Sequence, residues 1–514
     1  MTRSIFCMVV LGVLGWAPNA VAQNKRLSGT EITCANGKAA AYSCSNINLL
    51  SFMPIADIGG DNVTNLNDIW GWTDPQTGHE YALVGRTDGT AFVDVTDPLN
   101  PVYVGQLMLH AGATPNAWRD IKVYKDHAFI VADAAGLHGM QIFDLNLLRA
   151  ATVFPTTFSE SAHYDGFGSA HNIVIDEETG FAYAVGISFA GQTCGGGLHM
   201  INIQNPEAPV FAGCFSHTGT GRAGTGYTHD AQCVVYHGPD PDHQGREICF
   251  GSNETALSIA DVTDKSNPVA ISSANYPNVG YVHQGWLTED QRYFFQDDEL
   301  DEYLGFVGQT RTLVWDVTDL DDPQVSTEYN AATTSIDHNL YIIQDRAYQS
   351  DYTSGLHILD ISDPGNPKEV GFFDTTPDND APVFAGTWSV YPYFASGTLV
   401  LSSIGEGLFV VKPVGVATGT DTLDTDDEVT VGTPFPNPFT TRTTLKLAPL
   451  TTQHVRVVIY DMLGREVERV YDGTMTGGKA QYLSFDASEL PGGTYVVRAT
   501  GETFRATRLV SRVK

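Results

Sequence analysis

Long apolar runs are rare in this chain of 514 residues. Beyond residue 22, no stretch approaches the ~18 uninterrupted apolar residues that a membrane-spanning helix needs. Basic residues are also scarce, with 28 Lys and Arg against 60 Asp and Glu and a formal net charge of −32. This charge disfavours nucleic acid and anionic membrane surfaces as partners and favours cations, although an acidic surface also keeps a secreted protein soluble. We expect no nucleic-acid partner and no transmembrane segment.

Several catalytic and cofactor-binding patterns are missing as well. The sequence contains no Gly-x-Ser-x-Gly nucleophile elbow, and its many carboxylates do not single out a pair for glycoside cleavage. Gly219-Thr-Gly221-Arg-Ala-Gly224 matches the dinucleotide fingerprint by letter, but a strand rather than a helix is predicted to follow it. The sequence therefore predicts a flexible loop here and no nucleotide cofactor.

The first 22 residues have the composition of a secretory signal peptide. Arg3 gives a positive start, residues 5–16 are apolar, and Ala20-Val21-Ala22 forms a small-residue cleavage site before Gln23. We expect the mature chain to begin at Gln23 and to leave the cytoplasm.

Cysteine is infrequent, with seven in the chain, of which Cys7 departs with the signal peptide. The other six are an even number in a protein bound for an oxidising compartment, where cysteines pair. Sequence order suggests the disulfides Cys34–Cys44, Cys194–Cys214 and Cys233–Cys249. The last pair flanks a turn-rich segment, which would place both sulfurs on neighbouring antiparallel strands. Zinc ligation is the alternative, but no Cys-x-x-Cys pair supports it.

One short polar step recurs seven times at the start of a strand-like run. The steps are Asn67-Asp68, Arg119-Asp120, His171-Asn172, His229-Asp230, His283-Gln284, His338-Asn339 and Thr387-Trp388. They are separated by 52, 52, 58, 54, 55 and 49 residues, the regularity of one supersecondary unit copied end to end. A second strand, a third strand ending near Asp or Asn, a turn of Asp, Pro and Asn, and a fourth strand complete the unit.

Four antiparallel strands per ~50 residues, without helical periodicity, are typical of a β-propeller blade. The seventh unit ends at Pro413 without a fourth strand, while an unpaired strand at residues 49–58 precedes the first unit. We expect this strand to complete the seventh blade and remove two sheet edges. The predicted fold class is all-β, with a seven-bladed β-propeller over residues 46–414 that follows an N-terminal extension over residues 23–45.

The long, irregular loops belong to the face on which the innermost strands begin, so function is expected there. Four consecutive steps place His171, His229, His283 and His338 at equivalent positions, which predicts four imidazoles around the central channel. Such a set can bind Fe, Cu or Zn through imidazole nitrogens. The structural alternative is that each histidine hydrogen-bonds the adjoining blade and holds the ring together. The polar residue after each histidine is expected to point away from the channel and to orient a neighbour.

A second candidate metal site is the acidic segment Asp297, Asp298, Glu299, Asp301 and Glu302, on a loop predicted to overhang the histidine face. Clustered carboxylates suit Ca²⁺, which takes six to eight oxygen ligands. The alternative is a solvated acidic loop without an ion. Candidate cofactors are therefore Ca²⁺ or a transition metal (Fe, Cu or Zn), and no catalytic residue is singled out.

Composition changes near the C-terminus. Residues 415–433 are polar and acidic and are predicted to form a linker. Residues 434–514 hold 11 basic and 7 acidic residues and short alternating strands separated by glycine turns. This pattern predicts a small C-terminal β-sandwich after the propeller.

Four motifs of this module stand in order: Pro436-Asn-Pro-Phe439, Ile459-Tyr-Asp-Met-Leu-Gly-Arg465, Leu490-Pro-Gly-Gly-Thr-Tyr495, and a basic end with Arg505, Arg508, Arg512 and Lys514. Together they resemble the type A sorting domain of the type IX secretion system. The resemblance implies that the type IX secretion machinery recognises residues 434–514 and exports the protein to the outer-membrane surface or the medium. The alternative is an ordinary sandwich for carbohydrate adhesion.

The repeats resemble the choice-of-anchor B proteins, which are built from LVIVD-type repeats. The resemblance rests on the third-strand pattern with its Asp-Pro turns and on His283-Gln-Gly-Trp-Leu-Thr288 followed by Asp298-Glu-Leu-Asp-Glu302. It implies a secreted propeller joined to an anchor, and no known reaction. Three functions stay open: a cation-assisted binding module for an unknown extracellular ligand, a metalloenzyme with a four-histidine centre on the propeller axis, and a structural scaffold without a site.

Overall fold

A computed structural model describes residues 25–377, 379–414, 429–431, 434, 439, 442–461, 466–479, 481–486, 490–501 and 504–512. The predicted signal peptide and residues 415–428 of the predicted linker lie outside them. Within them strands predominate, and helix is limited to the α-helix Asn146–Ala150 and the 3₁₀ turns Ile55–Ile58 and Cys194–Gly196. The predicted all-β class is confirmed.

Aspartate, or Asn202 in repeat 3, ends the third strand of repeats 1 to 6 because its side-chain oxygen builds the turn that follows. Asp94 Oδ1 accepts the backbone N–H of Thr96 at 2.9 Å, and Asp261 Oδ1 accepts that of Thr263 at 2.9 Å. The same bond recurs at Asp144, Asn202, Asp316 and Asp360. The side chain thus supplies an acceptor where the chain reverses, which explains the recurrent Asp-Pro turns.

Each repeat forms one antiparallel sheet of four strands, which we number by repeat, with the innermost strand named first. Sheet 1 contains Leu66–Thr73, Glu80–Arg86, Gly89–Asp94 and Val102–Met108; sheet 2 contains Arg119–Tyr124, His127–Ala132, Met140–Asp144 and Ala162–Tyr164. Sheet 3 contains Asn172–Asp176, Phe181–Val185, Leu198–Asn202 and Val210–Phe215; sheet 4 contains Asp230–Val235, Glu247–Ser252, Leu257–Asp261 and Val269–Ala274. Sheet 5 contains Val282–Leu287, Tyr293–Asp298, Arg311–Asp316 and Gln324–Asn330; sheet 6 contains Leu340–Ile343, Arg346–Asp351, Gly355–Asp360 and Lys368–Phe373.

Sheet 7 combines the two ends of the repeat region. It contains Thr387–Tyr391, Leu399–Ser403 and Gly407–Pro413, with the N-terminal strand Ile47–Pro54 on its outer edge. The predicted pairing of the N-terminal strand with the last repeat is confirmed. The strand ends at Pro54 rather than at residue 58, because Ile55–Ile58 forms a 3₁₀ turn.

Short strands extend these sheets. Thr156–Phe158 pairs in parallel with the outer strand of sheet 1, and Lys38–Ala39 and Tyr42–Ser45 extend sheet 6. Separately, Phe167–Ser169 pairs with Phe189–Gly191. The N-terminal extension is thereby fixed to the outer edge of sheet 6. No helix in the described ranges has both the length and the apolar character to cross a membrane.

All three predicted disulfides are present, joining Cys34 to Cys44, Cys194 to Cys214, and Cys233 to Cys249. Cys233 and Cys249 lie directly opposite each other on adjacent antiparallel strands of sheet 4, as the sequence predicted. The disulfides therefore reinforce the edge of sheet 6, the loop side of sheet 3 and the centre of sheet 4.

Neighbouring sheets are joined at their innermost strands. Asp68 Oδ2 accepts the N–H of Ile121 at 3.1 Å, and Asp120 Oδ2 accepts that of Ile173 at 2.7 Å. Gln284 exchanges two hydrogen bonds with the backbone of Leu340. The second residue of these three steps thus bonds the next sheet, whereas the sequence analysis expected only that the polar residue after a histidine orients a neighbour.

Sheet 7 packs against sheet 1, where the order of repeats begins again. The N–H of Leu66 donates to the carbonyl of Ile404 at 2.9 Å, and Ser396 Oγ donates to Glu80 Oε2 at 2.6 Å. These bonds join residues more than 300 positions apart in the sequence.

The described residues of the C-terminal module form two sheets. One contains Val429–Val431, Arg442–Pro449 and Gln481–Asp486, and the other contains Gln453–Asp461, Glu466–Met475, Gly493–Thr500 and Arg505–Arg512. Apolar side chains of both sheets, such as Leu447 and Val457, share one core. Because Val429–Val431 pairs with Arg442–Pro449, the predicted linker ends before residue 433. The described residues include part of each of the four motifs: Phe439, Ile459–Asp461, residues 490–495, and Arg505, Arg508 and Arg512.

Phe52 tests whether the N-terminal strand is an integral part of the fold. Its ring is fully buried, with its centroid 4.5 Å from that of Phe409 on the paired strand. Phe52→Ala is expected to cost about 3–5 kcal/mol of unfolding free energy, because it removes buried surface and leaves a cavity. Urea unfolding measures this loss, with Val63→Ala at a 77% exposed position as the unaffected control. An unchanged midpoint for Phe52→Ala would show that this strand detaches before the sheets unfold.

Candidate metal centre

The four predicted histidines lie side by side near the starts of the innermost strands of four consecutive sheets. We call His171, His229, His283 and His338 the histidine row. Neighbouring ring centroids along the row are 4.3, 4.3 and 4.4 Å apart. The structure therefore brings all four imidazoles together, in an arc contributed by sheets 3 to 6.

One nitrogen of each ring in the histidine row is held by a protein acceptor. His229 Nδ1 donates to the carbonyl oxygen of His283 at 2.9 Å, and His338 Nδ1 donates to that of Trp388 at 2.6 Å. Both bonds cross to the next sheet, as the structural alternative predicted. Because a carbonyl oxygen can only accept, Nδ1 carries the proton in these two rings.

Carboxylates hold the other two rings. His171 Nδ1 lies 3.1 Å from Asp133 Oδ2, and His283 Nδ1 lies 2.9 Å from Asp297 Oδ1. Asp297 Oδ1 also accepts the N–H of Gln284 at 2.8 Å, so this oxygen acts as an acceptor for both groups. A neutral ring with its proton on Nδ1 has the lone pair on Nε2, which is the form that binds a metal.

Glu299 lies against the Nε2 edge of the histidine row. Its Oε2 is 4.0 Å from His283 Nε2, its Oε1 is 3.8 Å from His338 Nε2, and Tyr352 donates its hydroxyl to Oε1 at 2.8 Å. The N···O separations are too long for hydrogen bonds, but two bonds of ~2.0–2.2 Å to one intervening metal ion span them. Ligand atoms of His229, His283 and Glu299 all lie within 4.8 Å of one another.

Burial sets the charge state of this centre. Desolvation, reinforced by the neighbouring imidazoles, lowers the pKa of His229 and of His283 well below the ordinary value, and burial lowers the pKa of His338 to about 3. Burial also raises the pKa of Glu299 to about 7. These three imidazoles are therefore in the neutral, ligating form at physiological pH.

Two imidazoles and one carboxylate form a ligand set that proteins use for zinc and for non-haem iron. Such a set leaves coordination positions for water or a ligand. His171 and His338 flank His229 and His283 along the row, so they are placed to add a further nitrogen ligand or to contact a bound molecule.

The five carboxylates predicted to bind calcium are not brought together as one set. They divide into three groups: Asp297 and Glu299 at the histidine row, Asp298 bonded to the N–H groups of Gly280 and Tyr281, and Asp301 and Glu302 beside Arg311. They are also not solvated, since four of the five are 5% exposed or less and Glu299 is partly buried. The segment folds inward because these protein donors satisfy part of its charge.

Several residues of the centre were not predicted. The ring of Tyr281 lies 5.1 Å from that of His229, and the rings of Tyr352 and Trp388 lie 4.6 and 5.0 Å from that of His338. The two tyrosines come from loops of unequal length, so no fixed spacing marks them. Asp133 was also missed, although an acidic residue within one position of the end of the second strand, as at Asp297 in sheet 5, is a usable signal.

Sheet 2 carries Arg119 where sheets 3 to 6 carry a histidine. The Arg119 side chain is buried, with Nη1 3.2 Å from Nε2 of His138, whose Nδ1 lies 3.0 Å from the carbonyl oxygen of Gly139. Burial and the charge of Arg119 lower the pKa of His138 to about 3. His138 is thus a neutral acceptor for a buried guanidinium.

His138 predicts a pH dependence of stability. Its folded-state pKa of about 3 lies below the ordinary 6.5, so the unfolded chain binds more protons between these values and stability falls as the pH falls below 6.5. This contribution amounts to at most about 1.4 kcal/mol per pH unit. His138→Gln, which keeps an acceptor for Arg119, is expected to remove this slope from urea unfolding measured against pH. The exposed His237→Gln is the control, and identical slopes for the wild type and His138→Gln contradict the assignment.

Comparison with known proteins bears on one stretch of the repeat region and on the tail. Residues 433–511 match the family described as the secretion system C-terminal sorting domain, and residues 339–375 match the LVIVD repeat. The chain carries a secretion sorting domain. This tail directs export to the cell surface or the extracellular space through the type IX secretion machinery, and both predicted resemblances to repeat and tail are confirmed. The assignment to the choice-of-anchor B proteins stays a prediction.

No curated protein matches the chain. Among solved structures, the chain is similar to a protein from Lactobacillus plantarum with 12% identity, which covers 82% of this chain and 99% of that one at a TM-score of 0.44. It is also similar to a functionally unknown protein from Desulfotomaculum acetoxidans with 10% identity, 66% and 94% coverage and a TM-score of 0.42.

Proposed function

We propose that this protein is an exported seven-bladed β-propeller of the choice-of-anchor B type that binds an extracellular ligand with the help of a transition metal ion at the histidine row. The proposal includes a signal peptide over residues 1–22, the propeller over residues 46–414 and a C-terminal β-sandwich. Seven four-stranded sheets, the last packed on the first, support the closed ring.

The observation that carries the metal assignment is that the two nitrogens of each imidazole have different surroundings. Nδ1 of every histidine in the row is engaged by a carbonyl or carboxylate oxygen. Among the described residues, no hydrogen bond engages Nε2 of these rings, and Glu299 faces two of them. A purely structural role explains the bonds at Nδ1 but gives no reason for ligand atoms of His229, His283 and Glu299 to lie within 4.8 Å of one another.

An apolar rim beside the centre supports the binding role. Tyr303, Leu304 and Phe384 are 53%, 47% and 38% exposed. The ring of Phe384 lies 5.5 Å from those of both Tyr303 and Tyr352, and Tyr352 packs on His338. Exposed apolar side chains that continue into a polar centre suit a ligand with an apolar part and a metal-binding donor atom.

A metalloenzyme is the second candidate, and the His229, His283 and Glu299 set favours it. Three protein ligands leave positions at which a metal activates water or polarises a bound group. Tyr352, hydrogen-bonded to Glu299, is then placed to contact the reacting ligand.

Metal analysis of the full mature protein tests both candidates. We expect about one equivalent of Fe, Cu or Zn by elemental mass spectrometry, lost in His229→Ala and in His283→Ala because each removes a ligand. Asp297→Asn is expected to weaken metal affinity by about 10–100-fold, because it releases the orientation of His283. His237→Ala, at a 65% exposed side chain, is the control. Metal-free protein in every preparation, with a large loss of stability in His229→Ala, supports the scaffold instead.

Removal of residues 434–514 tests the export route. In a host with a type IX secretion system, full-length protein is expected at the cell surface or in the medium, and the truncated chain in the periplasm. Cell fractionation and immunoblotting measure the distribution, with full-length His229→Ala as a control for altered ring stability. Export of the truncated chain would contradict this role of the tail.

A further inference from the structure

A second group of carboxylates lies buried between sheets 5 and 6. Asp301 and Glu302 belong to the segment that joins Tyr293–Asp298 to Arg311–Asp316, and Asp337 lies shortly before the innermost strand of sheet 6. Asp301 and Asp337 are fully buried, and Glu302 is 5% exposed. One oxygen of each residue lies within 4.8 Å of the others.

Four carboxylate oxygens of this group have no hydrogen-bond partner outside the group, and the carboxyl groups of Asp301 and Glu302 bond each other. Asp337 has none at Oδ1 or Oδ2, and Asp301 Oδ1 and Glu302 Oε2 likewise have none outside the group. The remaining oxygens are engaged by Arg311, whose side chain donates to Asp301 Oδ2 at 2.7 and 2.8 Å and whose N–H donates to Glu302 Oε1 at 2.8 Å. Buried carboxylate oxygens without a donor are rare in proteins, because such burial is costly.

The negative charge of this group is also only partly balanced by the protein. The three carboxylates face one guanidinium, that of Arg311, which also lies 3.4 Å from Glu328, so the group keeps a formal charge of at least −2 that a divalent cation would offset.

The donor atoms indicate which cation fits. All the ligand atoms are carboxylate oxygens, which suit hard cations rather than the metals that prefer imidazole. Two oxygens on one Ca²⁺ ion, each at ~2.3–2.6 Å, lie up to about 5 Å apart, whereas Mg²⁺ at ~2.0–2.1 Å requires a tighter set. Ca²⁺ also accepts the irregular geometry of carboxylates from two separate loops, whereas Mg²⁺ demands a near-ideal octahedron.

We propose that Asp301, Glu302 and Asp337 bind a Ca²⁺ ion that joins sheets 5 and 6, apart from the histidine row. The site differs from the five-carboxylate cluster expected from the sequence, because Asp337 comes from another sheet and Asp297, Asp298 and Glu299 have other partners. Ca²⁺ would hold the segment that carries Glu299 against the loop that carries His338.

Calcium binding to the mature protein after chelator treatment tests this site. We expect one Ca²⁺ per chain by isothermal titration calorimetry at about 0.15 M salt, which screens the acidic surface. We also expect a higher thermal unfolding temperature with Ca²⁺, because the ion binds the folded state. Asp337→Asn is expected to abolish both effects and to raise the unfolding temperature of the calcium-free protein, since it removes a buried charge. The exposed Asp345→Asn, in the same sheet, is the matched control.

Two further variants keep the test decisive. Glu302→Gln is expected to lose calcium binding like Asp337→Asn and replaces it if that variant fails to fold. A double variant with His229→Ala and His283→Ala is expected to keep full calcium binding, which separates this site from the histidine row. Absence of calcium binding in the wild type overturns the proposal and indicates that the carboxylates retain protons. Unchanged calcium binding in both Asp337→Asn and Glu302→Gln also overturns it, because the ion then binds elsewhere on the acidic surface.

Discussion

Hydrogen bonds between neighbouring innermost strands are the interaction on which the rest of the structure depends. Side chains such as Asp120, which accepts the N–H of Ile173, and Gln284, which bonds the backbone of Leu340 twice, join neighbouring sheets. Single backbone bonds, such as that from the N–H of Val282 to the carbonyl of Glu254, add to them. These groups are buried, and leaving one unsatisfied costs about 1–3 kcal/mol. The bonds therefore fix each sheet against the next. The residues after three of the four histidines, Asn172, Gln284 and Asn339, bond the next sheet and so help to bring the histidines to one level.

The two interpretations of the histidines that the sequence left open are compatible in the structure. His229 and His338 bond the carbonyl groups of the next sheet through Nδ1, which serves the ring. The same bonds fix the tautomer and aim Nε2 away from the sheet interface, which serves a metal. A histidine that bonds the next sheet through Nδ1 is already held in one orientation. Presenting Nε2 to a metal therefore adds no conformational cost. Buried neutral imidazoles also remain ligands at pH values at which exposed histidines begin to protonate.

The features of the fold and of the site that could be predicted from the sequence are those that follow from the repeated unit. The spacing of the polar steps predicted the strand order, the pairing of the N-terminal strand with the last repeat and the row of imidazoles, because each follows from one unit copied at a constant position. Glu299 and Asp337 could not be assigned in this way, because their positions depend on irregular loops. Judged by composition alone, the acidic segment of residues 297–302 resembled a solvated loop. Its burial depends on Arg311, nine residues beyond Glu302, and on a loop of the next sheet, and neither relation has a local signature.

The first and second halves of the segment of residues 297–302 belong to two kinds of metal chemistry. Asp297 and Glu299 lie at the imidazoles, while Asp301 and Glu302 lie at an oxygen-only group with Asp337. Imidazole selects transition metals and clustered carboxylates select hard cations, so two different ions can occupy neighbouring positions without competing. The sites are nevertheless linked, because Asp337 directly precedes His338 and Asp301 follows Glu299 by two residues. A cation that cancels the repulsion among the three carboxylates would hold both segments in place, so that the oxygen site preorganises the ligands of the imidazole site.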